Sequence, residues 1–150
     1  VNTVKLNSQQ KTDGTAEEFV LRFFACIYDK DAFEHSVKDF LNKYAEKASR
    51  QFNYREAEQI FTETFAQLKR LPHGLVKAAG KNSTSVVLFE AVAVGAAETI
   101  SKGSHELNIE TFYDWVSCPE FSRLITGATN SKPKFVNRIK FCFDKFSSVR

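Results

Sequence analysis

Glu90 is the carboxylate of greatest chemical interest in this sequence, because it lies inside the most apolar stretch of the chain. From residue 86 to residue 97, only Glu90 and Gly95 interrupt a run of Val, Leu, Phe and Ala. An unpaired charge in such a segment is costly. We therefore expect Glu90 to accept a hydrogen bond or to pair with an arginine, with Arg22 and Arg138 as the candidates. The alternative, which we favour less, is a catalytic acid or base whose pKa is raised by burial.

A second candidate site is the basic end of the chain. Residues 132–150 carry six cations against one carboxylate, whereas the whole chain has a net charge of +3, so the preceding part is negative overall. The polar loop 126–131 precedes a predicted helix, and a helix N-terminus beside cations can bind an anion. The candidate contacts to nucleic acid or another anion are Lys132, Lys134, Arg138 and Lys145. We favour the simpler alternatives, which are capping by Asn130 or Ser131 and a solvated face of a terminal helix.

Most other chemistry has no support in the sequence. The three cysteines are odd in number and far apart, and no histidine has a second ligand at metal-binding spacing. The usual glycine-rich phosphate loops and the GxSxG elbow of serine hydrolases are absent. We therefore predict no metal, no cofactor and no catalytic residue in this chain, and we interpret Cys26 and Cys142 as core residues. Because neither a signal peptide nor a membrane-spanning run is visible, the sequence predicts a cytoplasmic protein without a membrane contact.

The elements that must position these residues are helices. Apolar residues recur at spacings of three and four, which predicts an all-α, single-domain bundle of about seven helices over residues 15–150, with residues 1–14 as a linker or domain end. The stretch 83–99 is the predicted central buried helix, capped by Ser83 or Ser85 and ending near Ser101. Thr15 and Glu18 form a predicted capping box for the first helix. The other helices are predicted at 16–28, 33–50, 54–71, 109–116, 119–125 and 133–146, with the second and third paired as an antiparallel hairpin.

Four motifs, taken in order, resemble those of a bacterial family of restriction and phage-defence proteins. They are EFVLRFFA at 18–25, VKDFLNKY at 37–44, LFEAVAVG at 88–95 and, more loosely, VNRI at 136–139. The family joins an N-terminal ParB/sulfiredoxin-like nuclease domain to an α-helical region, and it includes the S part of modification-dependent restriction enzymes of the GmrSD kind. The resemblance spans residues 15–146. It implies that this chain is the helical region, either as half of a longer protein or as a stand-alone remnant.

The resemblance implies no catalytic residue for this chain. The family's Asp-Gly-Gln-Gln-Arg motif belongs to the N-terminal domain, and Gln9-Gln10-Lys11 lacks both the Asp-Gly pair and the arginine. The prediction is a non-catalytic helical module that supports a ParB-like nuclease domain of the same or a partner chain and contacts DNA or nucleotide through its last helix. A purely structural or protein-interaction bundle is the alternative. A third interpretation, a hydrolase that uses Glu90 with Arg22 or Arg138, has no nucleophile or base pair to support it.

Overall fold

The central helix expected from the apolar run is the axis of the structure. The computed structural model describes residues 3–148. In it, α4 (Val86–Ser101) begins after Ser85, whose hydroxyl accepts a hydrogen bond from the backbone N–H of Leu88 at 3.2 Å. Every residue from 88 to 97 is buried, as expected for a helix without a polar face. Of the two predicted caps, Ser85 is therefore the one used, and the predicted end near Ser101 is confirmed.

Six further α-helices accompany α4, and the described part of the chain contains no β-strand. In chain order they are α1 (Thr15–Asp29), α2 (Val37–Arg50), α3 (Tyr54–Leu68), α5 (Phe112–Trp115), α6 (Pro119–Ile125) and α7 (Lys132–Ser147), with a 3-10 turn at Lys30–Ala32 after α1. The predicted all-α fold with about seven helices is confirmed. Between residues 3 and 148, no helix has the length and hydropathy needed to cross a membrane.

α1 runs parallel to α4. Arg22 contacts Glu90 and Lys30 contacts Glu98, and both pairs are separated by 68 residues. A constant offset between contacting residues means that the two helices advance in the same direction. The long connection through α2 and α3 makes this parallel arrangement possible.

α7 also runs parallel to α4 and lies very close to it. Arg138 contacts Glu90, and Cys142, one turn later in α7, packs on Gly95. A β-carbon built on Gly95 would lie 2.6 Å from the β-carbon of Cys142, which is closer than real side chains come. The missing side chain at Gly95 therefore sets the distance between the two helices.

The predicted antiparallel hairpin of α2 and α3 is wrong. α2 packs on α1, whereas α3 packs on α4, where the rings of Phe65 and Phe89 are 6.0 Å apart. The ring of Phe24 on α1 contacts both Phe52, between α2 and α3, and Phe61 on α3. The aromatic face of α1 thus covers the apolar surfaces that the two helices were expected to bury against each other.

Several predicted helix ends are also wrong, and local hydrogen bonds explain two of them. The Thr15–Glu18 capping box does not form, because the Asp13 carboxylate accepts hydrogen bonds from both the backbone N–H and the hydroxyl of Thr15. α2 begins at residue 37 rather than 33, since the Ser36 hydroxyl accepts from the backbone N–H of Asp39. α3 ends at residue 68 rather than 71, and α5 covers 112–115 rather than 109–116.

The segment before α1 lies against the loop that precedes α4. The carbonyl of Thr3 accepts a hydrogen bond from the backbone N–H of Leu75 at 2.7 Å. The carbonyl of Lys5 accepts from the N–H of Thr84 at 2.7 Å, and the N–H of Lys5 donates to the Thr84 hydroxyl at 2.9 Å. These bonds hold Val4 and Leu6 against the core.

Candidate functional site

The structure brings Glu90, Arg22 and Arg138 together at the centre of the bundle. Nη1 of Arg22 donates to one carboxylate oxygen of Glu90 at 2.8 Å. Nε of Arg138 donates to the other oxygen at 2.7 Å, and its Nη2 lies 2.6 Å from that same oxygen. The exposed fraction is 2% for Glu90, 8% for Arg22 and 0% for Arg138. One buried carboxylate therefore bridges α1, α4 and α7.

Further contacts complete the network. Nη1 of Arg138 donates to the carbonyl of Thr129 at 2.6 Å, so the loop before α7 is tied to the centre. The Arg138 guanidinium also lies 5.4 Å from the ring centre of Phe135. On the other side, Nε of Arg22 lies 3.3 Å from a carboxylate oxygen of Glu18, a partly exposed neighbour one turn earlier. Two guanidinium groups thus face two carboxylates, and the charges balance.

This arrangement suits a structural ion pair and not an acid or base. Both oxygens of Glu90 accept hydrogen bonds from guanidinium groups, and its side chain is buried away from solvent. The nearby thiol of Cys26 offers no nucleophile, because burial, followed by the charge of Glu90, raises its pKa well above the ordinary value. Burial likewise raises the pKa of Cys142. No group of three or more acidic, histidine or cysteine side chains within residues 3–148 could hold a metal ion.

The four basic residues singled out at the end of the chain do not form one surface. Arg138 is fully buried, so the ion pair is the role that its position allows and a contact to nucleic acid is not. Nζ of Lys132 donates to the Asp31 carbonyl at 3.4 Å, and Nζ of Lys134 donates to the Thr126 carbonyl at 3.2 Å. Lys145 lies three turns beyond Lys134, about 16 Å along the helix axis.

The loop 126–131 ends in ordinary helix capping. The hydroxyl of Ser131 accepts a hydrogen bond from the backbone N–H of Lys134 at 3.4 Å, which makes Ser131 the cap and not Asn130. The carbonyls of Thr126 and Thr129 accept bonds from Lys134 and Arg138. The cations expected to support an anion at this helix end are therefore already bound to carbonyl oxygens.

The structure also contains an apolar groove that sequence reasoning missed. It lies between α1, α2 and the start of α3 and encloses about 610 Å³, with Val20, Leu21, Phe24, Ala45 and Ala48 among its lining residues. Tyr54 at its edge is 77% exposed and Val20 is 42% exposed. Tyr54 is the first residue of α3 and is in register with Ala57 and Phe61, so helical spacing alone gave no sign of its exposure. The groove arises because α2 and α3 diverge, which residue spacing does not reveal.

These features define a class of protein: an all-helical domain whose polar centre is an internal ion network closed to solvent. Comparison of the chain with protein-family models, with curated proteins and with solved structures finds no match.

Proposed function

We propose that this chain is a non-catalytic helical module of a GmrSD-like restriction or phage-defence protein, in which it supports a ParB-like nuclease domain. The observation that carries the proposal is the meeting of Arg22, Glu90 and Arg138. Each of them is a charged residue in a different one of the motifs that resemble the family. Because all three residues form buried ion pairs in the core, their role in folding accounts for the motifs, and no role in a reaction is needed.

The proposal includes a contact to DNA or nucleotide through two lysines of α7, the half-buried Lys134 and the exposed Lys145. Both side chains are on the same face of the helix as Phe141, and Nζ of Lys145 lies 5.3 Å from that ring centre. Hydrogen bonds to carbonyl oxygens leave the charge of a lysine in place, so Lys134 can still attract a phosphate.

The second candidate function is a protein-interaction bundle without a nucleic-acid role. It is favoured by the wide separation of the basic side chains on α7 and by the apolar groove beside α1, where large apolar side chains are exposed. Surfaces of this kind are typical of contacts with other proteins. Under this alternative, the positive charge of α7 serves only solubility.

A DNA-binding titration of the chain at two salt concentrations separates the two functions. Replacing Lys134 and Lys145 with alanine should weaken binding and lower the salt dependence by about two released ions. The matched control is the pair Lys38→Ala and Lys43→Ala on α2, which removes the same charge elsewhere. Absence of binding at about 50 mM salt, or an equal effect of both pairs, would refute the contact through α7 and leave the second function as the candidate.

The link to a nuclease domain has its own test. The complete reading frame of the gene, or its neighbouring genes, should encode a strand-rich domain with an Asp-Gly-Gln-Gln-Arg motif. When produced with that domain, the chain should copurify with it. A reading frame and gene neighbourhood without such a domain would contradict the proposal.

A further inference from the structure

A cleft distinct from the ion network opens between the ends of α1 and α4 and the first half of α3. It encloses about 410 Å³. Its apolar part includes three isoleucines, Ile27, Ile60 and Ile100, one from each helix. Three glutamates, Glu56, Glu63 and Glu98, complete the lining together with small and hydroxyl-bearing residues and Tyr28. The cleft therefore has an apolar floor and an acidic rim.

The cleft is negatively charged, and little in the structure offsets that charge. Its lining contains no lysine, arginine or histidine. Glu98 pairs with Lys30 at 2.6 Å, but Glu63 accepts only from the neutral amide of Gln59 at 3.0 Å, and Glu56 forms no ion pair with another described residue. The parallel helices α1 and α4 also both end here with partial negative charge, whereas the N-terminal end of α3, beside Glu56, carries partial positive charge.

The spacing of the carboxylates selects the kind of cation that fits. No set of three acidic side chains in the described chain is close enough to hold a metal ion. Glu56 and Glu63 are two turns apart on the same face of α3, about 10 Å along the axis. The ligand must therefore present separate positive charges on an extended, partly apolar body. Lysine and arginine side chains have this character, since their methylene stems pack on apolar surfaces while the charged ends remain at the rim.

We propose that this cleft binds a basic segment of a partner protein, with two lysine or arginine side chains that reach Glu56 and Glu63 across the isoleucine floor. Charge complementarity commits the site to a cationic partner and excludes DNA, whose phosphates the glutamates would repel. The proposal is independent of the nuclease-module function, because it concerns an acidic cleft and a basic ligand, whereas the proposed DNA contact uses the lysines of α7.

Fluorescence anisotropy with a defined probe tests the proposal. The probe is a labelled peptide of repeating Lys-Leu-Ala, and its counterpart has glutamate in place of lysine. The chain should bind the lysine peptide and not the glutamate peptide. The double substitution Glu56→Gln and Glu63→Gln should weaken binding about tenfold, as expected for the loss of two partly exposed ion pairs. The matched control, Glu34→Gln with Glu110→Gln, removes two exposed carboxylates outside the cleft and should change binding less than twofold.

Four results would overturn the proposal. One is the absence of lysine-peptide binding at about 50 mM salt, where exposed charges are weakly screened. Another is an equal loss of affinity in the control pair, which would show attraction to the overall charge only. The third is binding of spermine as tight as that of the peptide, which would assign the cleft to small polyamines. Sedimentation of the chain alone tests whether a second copy of the chain binds in the cleft. Self-association that is lost in the Glu56/Glu63 variant would refute the binding of a separate partner protein.

Discussion

Replacement of Glu90 with glutamine should destabilise the chain far more than the loss of any exposed ion pair. The change is nearly isosteric, but it removes the negative charge from between two guanidinium groups that are buried in the core. Removing one partner of a buried ion pair leaves uncompensated charge and costs about 3–5 kcal/mol. Since domains of this size have a total stability of about 5–15 kcal/mol, the variant should fold with a greatly reduced margin.

Urea denaturation provides the measurement. Helical circular dichroism reports on the whole bundle, and fluorescence reports on Trp115, which is 4% exposed among aromatic rings near α7. The control is Glu98→Gln, which breaks the pair with Lys30. The side chains of Glu98 and Lys30 are 28% and 30% exposed, so we expect the free energy of unfolding to fall by less than about 1 kcal/mol.

A triple replacement completes the test. Arg22→Met, Glu90→Leu and Arg138→Met together remove the three buried charges, so the only charge left without its partner is that of the partly exposed Glu18. Such replacements are often neutral or stabilising, and we expect the triple variant to recover most of the stability lost in Glu90→Gln. The reasoning is refuted if Glu90→Gln and Glu98→Gln cost the same. Normal stability of Glu90→Gln combined with a lost NTP or DNA turnover would instead favour the hydrolase interpretation.

Two other substitutions have clear expected signs. Gly95→Ala would stabilise an ordinary helix by about 1 kcal/mol. Here it should lower the thermal midpoint by about 5 °C or more, because the new β-carbon would lie 2.6 Å from that of Cys142. A raised midpoint would contradict the close packing of α4 and α7. Burial, followed by Tyr28 and Asp29, raises the pKa of Tyr44 to about 12, so its contribution to stability is present below pH 10 and is lost as the pH rises towards 12. Tyr44→Phe should reduce this loss of stability at alkaline pH. Because the buried hydroxyl has no hydrogen-bond partner in the described structure, the substitution should also raise the free energy of unfolding at pH 8 by up to about 1 kcal/mol. An unchanged pH profile in urea titrations would contradict this.

The parts of the fold that depend on local signals were predictable from the sequence. The apolar run, its serine cap and the glycine beyond its end predicted α4, and a proline at the first turn predicted α6. The partners of Glu90 were also predictable, because a carboxylate in an apolar helix needs a cation and Arg22 and Arg138 lie in other predicted helices. In that case burial itself supplied a long-range constraint.

Other features depend on competing contacts that the spacing of residues along the chain does not reveal. The capping box failed because the Asp13 carboxylate accepts the hydrogen bond from the Thr15 N–H, and the Glu18 N–H donates to the Gly14 carbonyl instead. The hairpin of α2 and α3 failed because the aromatic face of α1 offers both helices a better surface. The apolar groove and the acidic cleft follow from the resulting divergence and from the parallel ends of α1 and α4. Each requires the relative placement of three helices.

The buried network also explains how three parallel helices find a single register. α4 is apolar on all sides, with valine and alanine repeated along its length, so packing alone distinguishes poorly between alignments one turn apart. A slip of one turn would move Glu90 about 5.4 Å from its partners and leave three charges buried without compensation. We infer that the network provides specificity more than stability. The triple apolar variant should then remain stable yet lose its unique packing, which binding of a hydrophobic dye and broadened side-chain NMR signals would show. Sharp signals and no dye binding would show that Gly95 and the aromatic contacts fix the helix register without the ion network.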